Sequence, residues 1–145
     1  IDGLKEKAMT MRNKKMRVLV LTLAGMGCVL PAAADEFTQA DLQRWEGQYM
    51  SVVKEGRSLW TDPALGTNGV ACAQCHPNAA NTHPETYPKF QKQLGKVVPI
   101  WEMVNWCIRN PLEGKDLAAD DPKMAALQAY IAYERRGVKL APGKH

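Results

Sequence analysis

The chain has 145 residues, with 19 Lys and Arg against 15 Asp and Glu and a formal charge of +4. Residues 1–34 hold six of the basic residues and two of the acidic ones, so residues 35–145 balance at 13 of each. That balance, with no basic stripe interleaved with aromatics, argues against a nucleic-acid partner, and residues 35–145 suffice for one domain with a modest core.

The positive excess belongs to a leader. Met11–Arg17 is a basic run, Val18–Leu30 an apolar run of 13 residues, and Ala32-Ala33-Ala34 a small-residue cleavage site. Together they predict a secretory signal peptide. Residues 1–34 are therefore read as leader and residues 35–145 as an exported, periplasmic domain. The apolar run is short for a membrane span, so no span is expected in the mature chain; a retained anchor is the alternative. Ile1–Thr10 precedes the candidate start residues Met9, Met11 and Met16 and is set aside.

Asp41 to Trp60 reads as a helix. Leu42, Trp45, Tyr49, Val52, Val53 and Leu59 recur at mostly three- and four-residue steps among polar residues. Thr38 or Asp41 suits its cap. Gly56 lowers helix propensity within it, which a close approach by another helix would justify. Thr61 to Val70 holds Pro63, Gly66, Asn68 and Gly69 and reads as a loop.

Cys72-Ala73-Gln74-Cys75-His76 follows. Two thiols with two residues between them can each add across one vinyl group of a haem, and the adjacent imidazole can bind the iron. Cys72 and Cys75 are the predicted covalent anchors, His76 the predicted proximal ligand, and one haem c the predicted cofactor. A zinc site from Cys72, Cys75, His83 and Cys107, or a redox dithiol, would leave His76 without a role.

Pro77 to Gly95 lacks regular periodicity and is broken by Asn78, Asn81, Pro84 and Pro88. It is expected to wrap a haem edge, with His83 at the surface or against a propionate. Phe90, Leu94, Val97 and Val98 are expected to face the core. Pro99 to Arg109 reads as a second helix with Ile100, Met103, Val104 and Cys107 on one face. Asp121-Pro122 starts the last helix as N-cap and N1. Met124, Leu127, Tyr130, Ile131 and Tyr133 form its buried side, and Gly137 its stop. No strand-like alternation stands out.

The candidates for the distal side of the iron are Cys107, Met103 and Met124, with His83, Lys115 or no protein ligand behind them. A thiolate would lower the reduction potential and a thioether would raise it. Arg109 is expected to favour the thiolate form of Cys107.

The order of helix, C-x-x-C-H, loop, helix, loop, helix resembles the class I cytochrome c fold, as does Gly56-Arg57-Ser58-Leu59-Trp60 at the end of the first helix. This implies an all-α fold of three main helices around one covalently attached haem, with Gly56 and Tyr130 where the first and last helices cross. Asn105–Leu117, Met124–Ile131 and Arg136-Gly137-Val138 resemble the haem domains of the Sox thiosulfate-oxidation cytochrome A subunit and of thiosulfate dehydrogenases. The resemblance implies that Cys107, in its Asn-x-Cys context, ligates the iron. The single C-x-x-C-H and the leader predict a periplasmic monohaem cytochrome passing single electrons to redox partner proteins, and the resemblance implies sulfur-compound oxidation as its setting, with a larger oxidoreductase complex as a candidate partner. The alternative is a catalytic or accessory haem subunit of a thiosulfate-oxidising enzyme. Such a site needs a cation for its anion, and Lys96, Arg109 and Lys115 are the sequence candidates.

Overall fold

Thr38 opens the first helix with a reciprocal cap. Its hydroxyl accepts the Asp41 N–H at 3.1 Å, and the Asp41 carboxylate accepts the Thr38 N–H at 3.1 Å. In this computed structural model, which describes residues 37–139, helix α1 then runs Gln39–Thr61. The leader and signal-peptide predictions lie outside the described residues. After α1 come a short helix α2 (Cys72–Cys75), strands β1 (Lys89–Gln91) and β2 (Lys96–Val98), and helices α3 (Ile100–Arg109) and α4 (Pro122–Glu134). The architecture is the expected all-α one, with a small antiparallel hairpin added.

Helices α1 and α4 form the frame. A Cβ at position 56 would stand 2.6 Å from the Ala126 carbonyl carbon and 2.7 Å from the Tyr130 Cβ. Only glycine permits that approach, so the helices cross where the sequence placed Gly56 and Tyr130. Val53 and Trp60 of α1 bury against Leu127, Tyr130 and Ile131 of α4. The Asp121 carboxylate accepts the Lys123 N–H at 2.8 Å, and Pro122 occupies the first turn. Gly137 has a φ of 75° just beyond the helix, as a C-terminal stop requires.

The first half of α1 departs from expectation. Leu42, Trp45 and Tyr49 are exposed, not buried. The reason is length. At 1.5 Å per residue, 23-residue α1 spans about 35 Å and 13-residue α4 about 20 Å. The partner runs out near Tyr49, whose hydroxyl donates to the Ala129 carbonyl at 3.4 Å. Beyond it Phe37 and Trp45 pack edge to face, 5.0 Å apart.

The loops are tied down by directed hydrogen bonds. The Thr67 N–H donates to the Leu112 carbonyl at 2.9 Å, and the Asn68 amide donates to the Pro111 carbonyl at 2.8 Å. These join the segment before α2 to the end of α3. Among the described residues, no helix is long and apolar enough to cross a membrane.

Candidate functional site

Helix α2 follows extended Ala71, and the Gln74 side-chain carbonyl accepts the Ala71 N–H at 3.1 Å. The single turn places Cys72, Cys75 and His76 together on one side of a cavity, which Trp60, Ile100, Val104, Leu112 and Ile131 line with apolar surface.

His76 is held from both ends. The Trp60 indole N–H donates to the His76 carbonyl at 2.9 Å. The His76 Nδ1 lies 2.8 Å from the Ala80 carbonyl oxygen. A carbonyl can only accept, so this contact puts the proton of the neutral ring on Nδ1 and leaves Nε2 with a free lone pair. Metal-binding imidazoles are oriented in this way, by a backbone acceptor on the ring nitrogen that does not bind the metal. Left-handed Asn78 and Ala79, with φ of 49° and 54°, turn the chain tightly enough to bring Ala80 back to the ring.

Helix α3 contributes Met103 and Cys107, one turn apart, to the same cavity. Burial pushes the Cys107 thiol up to about 11, with Cys75 adding to the shift. The Cys72 thiol also rises to about 11, first through burial and then through Cys107. Arg109, expected to favour the thiolate, is paired with Asp116, and burial governs Cys107 instead. Asn105 fixes this helix against the loop that follows. Its amide donates to the Leu117 carbonyl at 2.8 Å and accepts the Leu117 N–H at 3.0 Å.

Of the predicted site residues, Cys72, Cys75, His76, Met103 and Cys107 line the cavity and Met124 does not. Met124 has no exposed surface and packs in the core between the helices. His83, expected at the surface or against a propionate, is not at the surface: it is buried, with its Nδ1 3.0 Å from a Glu85 carboxylate oxygen. It does not share the cavity with the three cysteines. Among the described residues, no group of three or more His, Cys, Asp and Glu is placed to hold a metal ion. The structure thus offers no zinc set. Lys115 is exposed and Lys96 pairs with Glu102 at 2.6 Å, both away from the cavity lining.

The hairpin supplies what the sequence reading missed. Phe90 pairs with Val97 across it, and both are exposed at 57% and 63%. Only Val98 is fully buried among the hairpin residues assigned to the core. The alternation sends Lys89 and Gln91 the other way, onto the cavity lining beside Tyr87. Three-residue strands are too short for period-two patterning to register in sequence. The available signal was the polar-apolar-polar order of Lys89, Phe90 and Gln91.

A helical frame that gathers a C-x-x-C-H segment, a preset imidazole and an apolar cavity defines a cytochrome c-like domain. The chain belongs to the SoxA/TsdA cytochrome c domain family, whose model matches residues 55–140. Over 110 residues it is 30% identical to the L-cysteine S-thiosulfotransferase subunit SoxA of Rhodovulum sulfidophilum, a match covering 74% of this chain and 38% of that protein. It is 28% identical over 106 residues to a thiosulfate dehydrogenase of Allochromatium vinosum, covering 62% and 39%. The chain therefore spans about two fifths of the length of these relatives.

A cytochrome c domain implies haem c, and the residues present fit one. Two thiols and an imidazole with a free Nε2 stand on one side of an apolar cavity, with further sulfur donors on α3. That donor set matches haem c chemistry.

Proposed function

We propose that this is a periplasmic monohaem cytochrome that transfers single electrons in the oxidation of sulfur compounds, thiosulfate above all. When bound, haem c supplies one-electron redox chemistry. Cys72 and Cys75 would hold the group to α2 through thioethers. His76, oriented by its contact with Ala80, would offer Nε2 to the iron. Cys107 would offer a second donor from α3, with Met103, one turn earlier, as the alternative. Met124 is the remaining candidate from sequence, and its place in the core argues against it. The apolar side chains around the group exclude water and limit the reorganisation that accompanies a change of charge.

The observation that carries this reading is the gathering of Cys72, Cys75, His76 and Cys107 on one cavity. The names of the relatives support thiosulfate oxidation as the setting.

The second reading is a catalytic or accessory haem subunit of a thiosulfate-oxidising enzyme. Cys107 favours it, because a sulfur donor facing the cavity is also placed to meet a sulfur substrate. One anaerobic optical experiment separates the two. A carrier titrates reversibly as a one-electron couple and stays oxidised when thiosulfate alone is added. An enzyme subunit is reduced by thiosulfate with no other redox-active protein present, whereas a carrier is reduced only when a separate thiosulfate-oxidising protein is added. Absence of a redox-active haem band overturns both.

A further inference from the structure

We propose that Lys89, with the hydroxyl of Tyr87, forms an anion-holding site in the wall of the haem cavity. The inference deepens the thiosulfate reading and rests on it for the choice of anion.

Lys89 is the one lysine or arginine among the described residues that line the cavity, and no Asp or Glu lines it. Two of the cations that the sequence offered for an anion are engaged elsewhere, Lys96 with Glu102 and Arg109 with Asp116. Lys89 has no carboxylate within ion-pair distance among the described residues. Its Nζ instead lies over the Tyr87 ring, 4.8 Å from the centroid. That contact partly compensates the charge but leaves the three ammonium N–H donors without an oxygen. Loss of water around Nζ lowers its pKa, while Glu85 acts in the opposite sense. An oxyanion at Nζ would relieve that cost.

Tyr87 completes the donor set. The Gln91 amide donates to the Tyr87 hydroxyl oxygen, so the hydroxyl proton is free for another acceptor. An ammonium and a phenol on one wall match an oxyanion, whose oxygens accept several hydrogen bonds at once. The hairpin sets this geometry, since β1 turns Lys89 and Gln91 inward and Phe90 outward. Cys107 lines the same cavity, so a thiosulfate held here lies in the compartment that also contains the proposed distal sulfur.

Two anions share this chemistry: an external sulfur oxyanion and a carboxylate of the haem itself. The test uses the full chain with its haem, in wild-type, Lys89→Met and Lys89→Arg forms. Haem content is read first from the Soret band, which exposes a failure of the haem reading before any anion is added. Thermal unfolding then checks that the variants fold. Thiosulfate is titrated by calorimetry, which needs no haem signal, and the reduction potential is measured for each form.

Loss of a charge-assisted hydrogen bond of this kind weakens affinity by about 10- to 100-fold. Lys89→Met is expected to weaken thiosulfate binding by that factor, while Lys89→Arg stays close to wild type. If thiosulfate affinity is unchanged and the potential of Lys89→Met moves, the same site holds a haem carboxylate. If neither affinity nor potential responds to Lys89→Met, or no thiosulfate binds and the potential is unchanged, the proposal is overturned.

Discussion

Asn105 is 3% exposed, yet both ends of its amide are satisfied by Leu117. It lies two residues before Cys107 and ties α3 to the loop that leads into α4. Asn105→Ala would leave a part-buried N–H and a part-buried carbonyl without their partner. Each orphan costs about 1–3 kcal/mol when water cannot replace the bond. A loss of about 2 kcal/mol is expected, read as a lower urea midpoint at unchanged slope. A loss under about 0.5 kcal/mol, the scale of an ordinary surface change, would mean that water serves Leu117 equally well. At this scale the sequence was informative where chemistry dictates spacing. Cys72, Cys75 and His76 stand out because theirs is the order that haem attachment would demand, and all three line one cavity. The tie from Asn105 to Leu117 was invisible, because a hydrogen bond across 12 positions leaves no local pattern. The site position of Lys89 was hidden for a similar reason: it depends on the pairing of two three-residue strands.

Among the elements, the helices were legible and the hairpin was not. Asp121, Pro122 and Gly137 punctuate α4 as their backbone preferences require, and the apolar spacing of α3 agrees with its face on the cavity. Segment 89–98 carries one such signal, Gly95, which takes a φ of 66° in the turn, and a single glycine does not distinguish a hairpin from a loop. Burial was the harder property. The apolar stripe of α1 predicts a helix correctly, but its packing depends on the length of α4, which α1 does not encode. Gly56 tests the crossing. Alanine would gain about 1 kcal/mol in helix propensity. Its Cβ, however, would meet the Ala126 backbone, which cannot move aside as a flexible side chain would. The clash outweighs the gain, and Gly56→Ala is expected to destabilise the domain by about 1–3 kcal/mol in thermal or urea unfolding. A neutral or stabilising substitution would show that the helices do not meet here as described.

At the scale of the whole molecule, the cavity is a shared product of nearly every element. Helix α2 brings the thiols and the imidazole, α3 brings Met103 and Cys107, the hairpin brings Lys89, and α1 and α4 close the apolar side. The two faces of the proposed haem differ in how far the sequence constrains them. The proximal face follows from a contiguous motif, reinforced by the Nδ1 contact of His76. On the proposed distal face both α3 sulfurs line the cavity, and the choice between Cys107 and Met103 would set the reduction potential and the relation to thiosulfate chemistry. The most direct measurement is electron paramagnetic resonance of the ferric protein, with matched optical spectra, compared with Cys107→Ala. The account predicts a low-spin thiolate-type signal in the wild type that is lost or converted in the variant. A methionine-type spectrum that Cys107→Ala leaves unchanged would contradict it and move the distal ligand to Met103.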